Sequence, residues 1–459
     1  MSDAWDGVRA GPVWRCTAGK RGAHLYAALV ARPGSCIRQL AQRDRAREIQ
    51  FTRFLRNDAV TAEEIAASAA ERTGERARGR DVVVVQDTSE LSLGGRRAKA
   101  NGYGPVGKGG ALRGLLLHAA LAVDASNGGV IGLVDAKVWN RTGGKAEHRR
   151  ARQTKQKESQ RWLDGTRRAA EVLTEAASLT VVSDRESDIY EHFAFRPQTT
   201  HLIVRACQNR RIETGEEDQI DLLFSHVDSL PEEGRLKANI PAAPGRKARS
   251  SELAVRFSCV TLRKPLHSTA DLPDTVTLTV VDIRETSTPE GGKPIHWRLL
   301  TTHPVTNIAD ARRIVVLYRM RWVVEEYFHT QKTGGFDIEA AEISDPKAMI
   351  RFAAAVAVAA VSVIQLVKAR DGATGQDLLE AFEPADQSIL EAVAVKLEGK
   401  TERQKNAHPK GSLAFAAWVI ARLGGWDGYY GKPGPKTMRL GLEAFQRIKF
   451  GAMLRLQNV

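Results

Sequence analysis

The sequence predicts an α/β chain: a mixed β-sheet core that carries a β-rich insertion and is flanked by helical regions at both ends. Three observations lead there. Two apolar runs rich in β-branched residues, DVVVVQD at 81–87 and LTVVSD at 179–184, read as buried strands. Stretches with helical spacing surround and separate them. From about 209 to 297 the chain turns polar, with Pro and Gly punctuation and β-like stretches at 253–262 and 274–284.

In chain order, 34–57 carries Arg38, Arg43, Arg45, Arg47, Arg53 and Arg56, with Phe51, Phe54 and Leu55 at helical spacing. Such arginines form either a solvated helix face or a DNA contact. Residues 61–72 form a helix capped by Thr61, with Glu64 at its third position. The strand at 81–87 follows. The stretch 94–113 holds five basic residues and no acid among Gly and Pro, which predicts a loop. Strands are expected at 114–123 and 130–139, joined by a hairpin turn from Asp124 to Gly129. Residues 141–168 carry ten Lys or Arg against three acids and run into a helix near 158–177. The strand 179–184, a short helix from about Ser187 and a strand at 200–207 come next. Helices return at 306–332, 346–368, 411–424 and 437–455. The order strand, strand, strand, helix, strand, helix is that of an RNase H-like core with an insertion. The expected parts are an N-terminal helical DNA-binding region (1–80), a first core segment (81–208), the β-rich insertion (209–297), a second core segment (298–370) and a C-terminal helical region for dimerisation (371–459).

The 459 residues exceed what one hydrophobic core supports. A formal net charge of +14 points to a polyanion as partner, with nucleic acid first. The four cysteines form no paired knuckle, which argues against zinc and disulfides and fits a reducing cytoplasm. The apolar run 352–367 is shorter than the about 20 residues of a membrane span and reads as a buried helix.

The chemistry gathers on a helix expected over 309–335, started by Asn307 with Asp310 and stopped at Gly334-Gly335. Tyr318, Arg321, Glu325 and Lys332 fall within roughly 60° of one another at helical spacing. By itself this stripe could be a solvated face with an Arg321–Glu325 pair. Asp87 and Asp184 change its meaning, because each closes a buried strand, where α/β sheets place ligands. Asp124 and Asp188 read as turn or capping residues. Three converging carboxylates raise one another's pKa, and divalent cations reverse that cost. Mg²⁺ prefers such oxygens, Mn²⁺ can substitute, and two ions about 4 Å apart suit phosphodiester chemistry.

With these residues in place the chain resembles the DDE cut-and-paste transposases of bacterial insertion sequences, the group with the signature Y-x2-R-x3-E-x6-K. The resemblance runs from about residue 50 to the C-terminus and includes RFLRN (53–57), QDTSELS (86–92), SDRESDIY (183–190), HWRLLT (296–301), YRMRWVVEEYFHTQKTG (318–334) and SLAFAAWVIARLGG (412–425). It implies an RNase H-like core with a β-rich insertion. It implies Asp87, Asp184 and Glu325 as catalytic metal ligands, with Tyr318, Arg321 and Lys332 contacting the strand end. Trp297 matches a tryptophan that stacks on a flipped base; an ordinary core aromatic is the other reading. Arg53 and Arg56 lie in a segment that binds the transposon end. The implied partners are double-stranded DNA, as transposon ends and target, and a second copy in a homodimer. Residues 1–30 depart from the family's end-reading helix, with Lys20, Arg21 and His24 the nearest equivalents.

Three further readings accompany this one. The stretch Gly102–Gly109 has P-loop spacing but lacks the Ser or Thr that follows the lysine, so ATP binding is rejected and Lys108 is expected to reach a DNA phosphate. The apolar Leu413, Phe415, Trp418, Val419 and Leu423 form either a pairing surface or a helix packed on its own core. An inactive or N-terminally truncated DNA-binding relative, acting as an inhibitor of transposition, is the alternative function.

Overall fold

Twelve strands form one mixed sheet in the computed structural model, which describes residues 17–32, 34–94, 99–141, 157–213, 220–240, 248–266, 268, 271–287 and 294–456. The parts of the expected basic stretches at 95–98 and 142–156, and residues 1–16, lie outside the described residues. The central strands are β1 (Asp81–Ser92), β2 (Gly104–Val106), β3 (Leu112–Asp124), β4 (Val130–Trp139), β5 (Ser178–Ser183) and β6 (Thr200–Arg205). β1 pairs with β3 antiparallel and with β5 parallel, and β5 pairs with β6 parallel. The β3–β4 hairpin closes where expected, the Asp124 amide donating to the Gly129 carbonyl at 2.8 Å.

The polar segment after β6 is β-rich, as expected, and its strands belong to the same sheet. They are β7 (Arg211–Glu213), β8 (Ile220–Leu222), β9 (Gly234–Ile240), β10 (Arg249–Arg263), β11 (Thr275–Glu285) and β12 (His296–Thr301). β12 pairs with β6 through Leu299, Leu300 and Thr301, so the insertion extends the sheet from that edge. The expected boundary at 297 therefore falls inside β12.

Helices cover both faces. They are α1 (Thr17–Ala31), α2 (Ile37–Leu40), α3 (Arg45–Leu55), α4 (Ala62–Ala77), α5 (Gln160–Val172), α6 (Tyr190–Ala194), α7 (Leu223–Ser229), α8 (Ile308–Arg319), α9 (Trp322–Gln331), α10 (Pro346–Ala369), α11 (Pro384–Leu397), α12 (Leu413–Leu423) and α13 (Pro435–Leu456). Strand alternation sorts β1 between two cores. Val83 and Val85 join Tyr318, Val324 and α10, whereas Val82 and Val84 join Ala169 of α5. Thr61 and Glu64 form the expected capping box on α4. α10 is long and apolar enough to cross a membrane, yet 89% of its apolar window is buried inside the protein, where it serves as the central core helix.

Two expectations are corrected here. The helix over 309–335 is two helices, α8 and α9. At the step between them the amides of Met320, Arg321, Val323 and Val324 bond to carbonyls three residues back, which overwinds the backbone locally. The pairing surface expected from the apolar residues of α12 gives way to the other reading, a helix packed on its own core: Leu413, Phe415, Trp418 and Val419 are at most 5% exposed, and Leu423 packs half-buried on the same core. Its neighbours α10, α11 and α13 enclose it, which is why it is apolar on every side.

Candidate active site

Asp87 lies inside β1, five residues before its end, and so does not close the strand. The sequence signal that looked like a strand end marks a parting of neighbours. β1 pairs with β5 only as far as Val85, opposite Val182, while its pairing with β3 continues to Ser92. Asp87 stands just past that parting, on the side of the sheet that Val83 and Val85 share with α8 and α9. Asp184 follows β5 directly, at the neighbouring strand's carboxyl end, and begins a single 3-10 turn, Arg185–Ser187.

Across from them, Tyr318 lies in the last turn of α8 and Glu325 in the first turn of α9. Asn307 caps α8 by accepting from the amides of Ala309 and Asp310, which fixes where its ridge points. The step between the helices turns Arg321 inward, leaving it 7% exposed. Its Nη1 donates to Asp87 Oδ2 at 2.8 Å and to Glu325 Oε1 at 3.1 Å. The Tyr318 hydroxyl donates to Asp184 Oδ1 at 3.5 Å, a long contact. Residues from β1, the end of β5, α8 and α9 thus share one network.

Burial pushes the Asp87 carboxyl up to about 6, against the Thr88 amide and the Arg321 guanidinium, and Glu325 and Asp184 push it in the same direction as burial. All three acids therefore act within one electrostatic field. Burial also raises the Tyr318 hydroxyl to about 12, with Asp184 adding to the shift. Burial opposes the charge on Arg321, but Tyr318, Asp184, Asp87 and Glu325 outweigh it and hold its pKa above the ordinary value.

Among the described residues no three Asp, Glu, His or Cys side chains are gathered closely enough to hold a metal ion. The donor chemistry nevertheless fits a hard cation: every acid is a carboxylate, and where two of them converge the Arg321 guanidinium already supplies positive charge. Arg321 and a metal would compete for Asp87 and Glu325.

The remaining expected site residues are distributed as follows. Lys332 leaves the Tyr318–Arg321–Glu325 stripe, because α9 ends at Gln331 and the backbone turns at Lys332 with ψ −130. Its Nζ donates to the Glu90 carbonyl of β1 at 2.6 Å and lies 3.5 Å from Glu339. Lys108 is exposed on the 3-10 turn Lys108–Gly110, which docks on β1 through the Gly107 amide donating to Glu90. A strand follows that turn, as the rejection of the P-loop reading requires. Trp297 is half-buried on β12, edge-on to the Tyr318 ring at 5.6 Å between centroids. Arg53 and Arg56 are exposed at the end of α3, in the N-terminal helical layer. Asp188 is structural, accepting from the Cys207 and Gln208 amides and pairing with Arg210.

A cleft of about 1130 Å³ approaches this site through Arg185, which follows Asp184 in the chain, and Trp297, whose ring meets that of Tyr318. Arg185, Arg205, Arg235, Lys237, Arg312 and Arg319 line it with Trp297 and Trp322, and among the described residues no acid lines it. Sequence reading missed these cations, although Arg312 and Arg319 sit seven residues apart on α8 and Arg185 adjoins Asp184. A scan against protein-family models finds none that matches the chain.

Proposed function

We propose that the chain is a DNA transposase with an RNase H-like core, cleaving transposon ends by metal-dependent phosphodiester hydrolysis and joining their 3′-hydroxyls to target DNA. The observation that supports this reading is that Arg321 bonds Asp87 and Glu325, while Asp184, bonded to Tyr318, acts on Asp87 through charge, close to a cleft that is edged by two tryptophans and whose described lining is basic without an acid. Carboxylates alone would repel a phosphodiester. Carboxylates beside a polycationic cleft suit an enzyme that holds DNA by its phosphates and brings one of them to a metal site.

Asp87, Asp184 and Glu325 would hold Mg²⁺ or Mn²⁺, as two ions, which supply an activated oxygen nucleophile and stabilise the departing oxygen. The residues of the chain do the rest. Arg321 holds Asp87 and Glu325 together until they are needed as ligands. The Tyr318 hydroxyl, kept protonated by burial, donates towards Asp184. Trp297 and Trp322 offer flat faces at the cleft for an unstacked base. Two copies on two DNA ends, in a homodimer, complete the reaction unit of this reading.

The test is to sequence the DNA on both sides of the gene for short inverted repeats, to incubate the protein with DNA carrying those flanks and Mg²⁺, and to score end cleavage and joining on gels. Products that need both the repeats and the metal are expected; no metal-dependent product at any DNA end would reject the reading. Affinity should also fall steeply with salt, with a logarithmic slope of about 0.9 per phosphate contacted on duplex DNA.

The neighbouring acids separate cleanly. Glu326 lies off the cluster and pairs with Lys368 at 3.0 Å, a surface bridge worth about 0–1 kcal/mol. Glu326→Gln should leave cleavage within about threefold of wild type, because so weak a pair lies outside the chemistry. Glu325→Gln should cost about a hundredfold or more. Initial cleavage rates at saturating Mg²⁺ decide this, and the reverse ranking would assign the ligand to Glu326.

A further inference from the structure

Behind the carboxylates, on the α5 side of the sheet, a buried chain of hydrogen bonds joins the two aspartate-bearing segments. Gln86, next to Asp87, is fully buried; its Nε2 donates to the Trp162 carbonyl at 3.3 Å and to Thr166 Oγ1 at 3.2 Å. Its Oε1 lies 3.2 Å from His118 Nε2, and His118 Nδ1 lies 2.9 Å from Thr88 Oγ1. Thr166 Oγ1 lies 2.8 Å from His192 Nε2, and His192 Nδ1 lies 3.3 Å from the Ser187 carbonyl. The Ser187 hydroxyl donates to the Asp184 carbonyl at 2.7 Å and sits 2.5 Å from the Ser183 hydroxyl.

One set of proton positions satisfies these contacts with neutral rings. Gln86 Oε1 can only accept, so His118 carries its proton on Nε2 and accepts from Thr88 at Nδ1. The Ser187 carbonyl can only accept, so His192 carries its proton on Nδ1 and its Nε2 accepts from Thr166, whose hydroxyl then leaves the Trp162 carbonyl, 3.0 Å away, to Gln86 Nε2. Burial holds both imidazoles neutral, pushing His192 down to about 4 and His118 well below the ordinary value. Gly165 makes room for the junction: a Cβ there would come within 2.4 Å of Gln86 Oε1. Glycine inside a helix costs about 1 kcal/mol against alanine, so this close approach runs against local helix preference.

We infer that His118, Thr166 and His192 are positioning residues that fix the spacing of Asp87 and Asp184 for a divalent cation. At one end they hold Thr88, whose amide donates to Asp87 Oδ1 at 2.7 Å. At the other they hold the Ser187 turn against Asp184. The inference rests on the proposed metal-dependent reaction. Loss of a group bonded directly to a metal ligand alters metal affinity by about ten- to a hundredfold, and these residues act further out, through Thr88 on one side and the Ser187 turn on the other, so a smaller effect is expected.

Thr166→Val keeps the shape and removes the hydroxyl, whereas Thr166→Ser keeps the hydroxyl. Mn²⁺ binding by electron paramagnetic resonance and the Mn²⁺ midpoint of cleavage are measured for both, with Tm and DNA affinity alongside. Thr166→Val should raise both Mn²⁺ midpoints by about three- to tenfold with DNA affinity unchanged, and Thr166→Ser should restore them. A lowered Tm with unchanged Mn²⁺ midpoints would overturn the inference and leave the network a purely structural device. Wild-type protein that binds Mn²⁺ but cuts no DNA would reject the nuclease reading instead, and the binding midpoints would still decide this one. Should Thr166→Val not fold, ¹⁵N spectra of the wild-type imidazoles at pH 7 decide. The Nε2–H form of His118 and the Nδ1–H form of His192 are expected, and mixed tautomers or a protonated ring would overturn the inference.

Discussion

Asp184→Ala is expected to lower DNA cleavage by about a thousandfold or more, equivalent to about 4 kcal/mol of lost transition-state stabilisation, while end binding persists. Asp87→Ala and Glu325→Ala should behave alike. Binding should survive because the cations that line the cleft lie on other side chains. Mg²⁺ or Mn²⁺ should support the reaction and Ca²⁺ should not. Gel-shift and cleavage assays on the same preparations separate the two properties, and an Asp184→Ala protein that cuts at the wild-type rate would remove the carboxylates from the mechanism. Asp87 adds a stability signature. Its folded pKa is raised from 3.8 to about 6, so its charged form opposes folding; the penalty is absent below pH 4, grows as pH rises to about 6 and stays constant above. Without metal, Asp87→Asn should therefore raise Tm at pH 7.5 by up to the equivalent of about 3 kcal/mol, and have no such effect at pH 4. Divalent metal should stabilise wild type and not the variant. A variant that melts below wild type at pH 7.5 would show that the Arg321 contact outweighs the burial of Asp87.

Ending the chain after Arg370 is expected to yield insoluble protein. Leu413, Phe415, Trp418, Val419 and Ile420 of α12 are nearly or fully buried, and α12 packs on α10. Losing one such side chain costs about 2–5 kcal/mol, and the whole chain has a stability of about 5–15 kcal/mol. The truncation would also bare the apolar face of α10. Expression of residues 1–370, followed by solubility and circular dichroism, checks this. A soluble, folded fragment would mean that the C-terminal helices form a separable layer.

Periodicity carried the sequence reading where one face of an element is buried. The strands of the core, the Thr61 capping box and the long helix α10 follow directly from apolar pattern and cap chemistry. Tyr318, Arg321 and Glu325 come together as their spacing on α8 and α9 suggests. Contacts between distant segments were harder to read. The helix step at Met320 carries no Gly or Pro signal in the sequence, and it accompanies a contact, Arg321 with Asp87, between segments far apart in the chain. Lys332 obeys helical spacing on paper, but the backbone has already left the helix there. The apolar stripe of α12 is equally compatible with self-association and with burial, and only its enclosure by three helices decides. The polar network behind the aspartates is invisible in sequence, since Gln86, His118, Thr166 and His192 come from four different elements.

The way the site is assembled also sets when it can exist. The contact of Arg321 with Asp87 closes 234 residues of chain, and that of Tyr318 with Asp184 closes 134. At about 5–20 residues per second, a ribosome delivers Arg321 on the order of ten to fifty seconds after Asp87. Strand β5 can pair with β1 long before α8 and α9 emerge, but β12 must still close onto β6 and both helices must dock before Glu325 meets the aspartates. No nascent piece ending before α9 contains all three carboxylates. Closure over such separations is slow, so the site comes late in the making of the molecule: its three carboxylates cannot come together until α9 has been made and has docked.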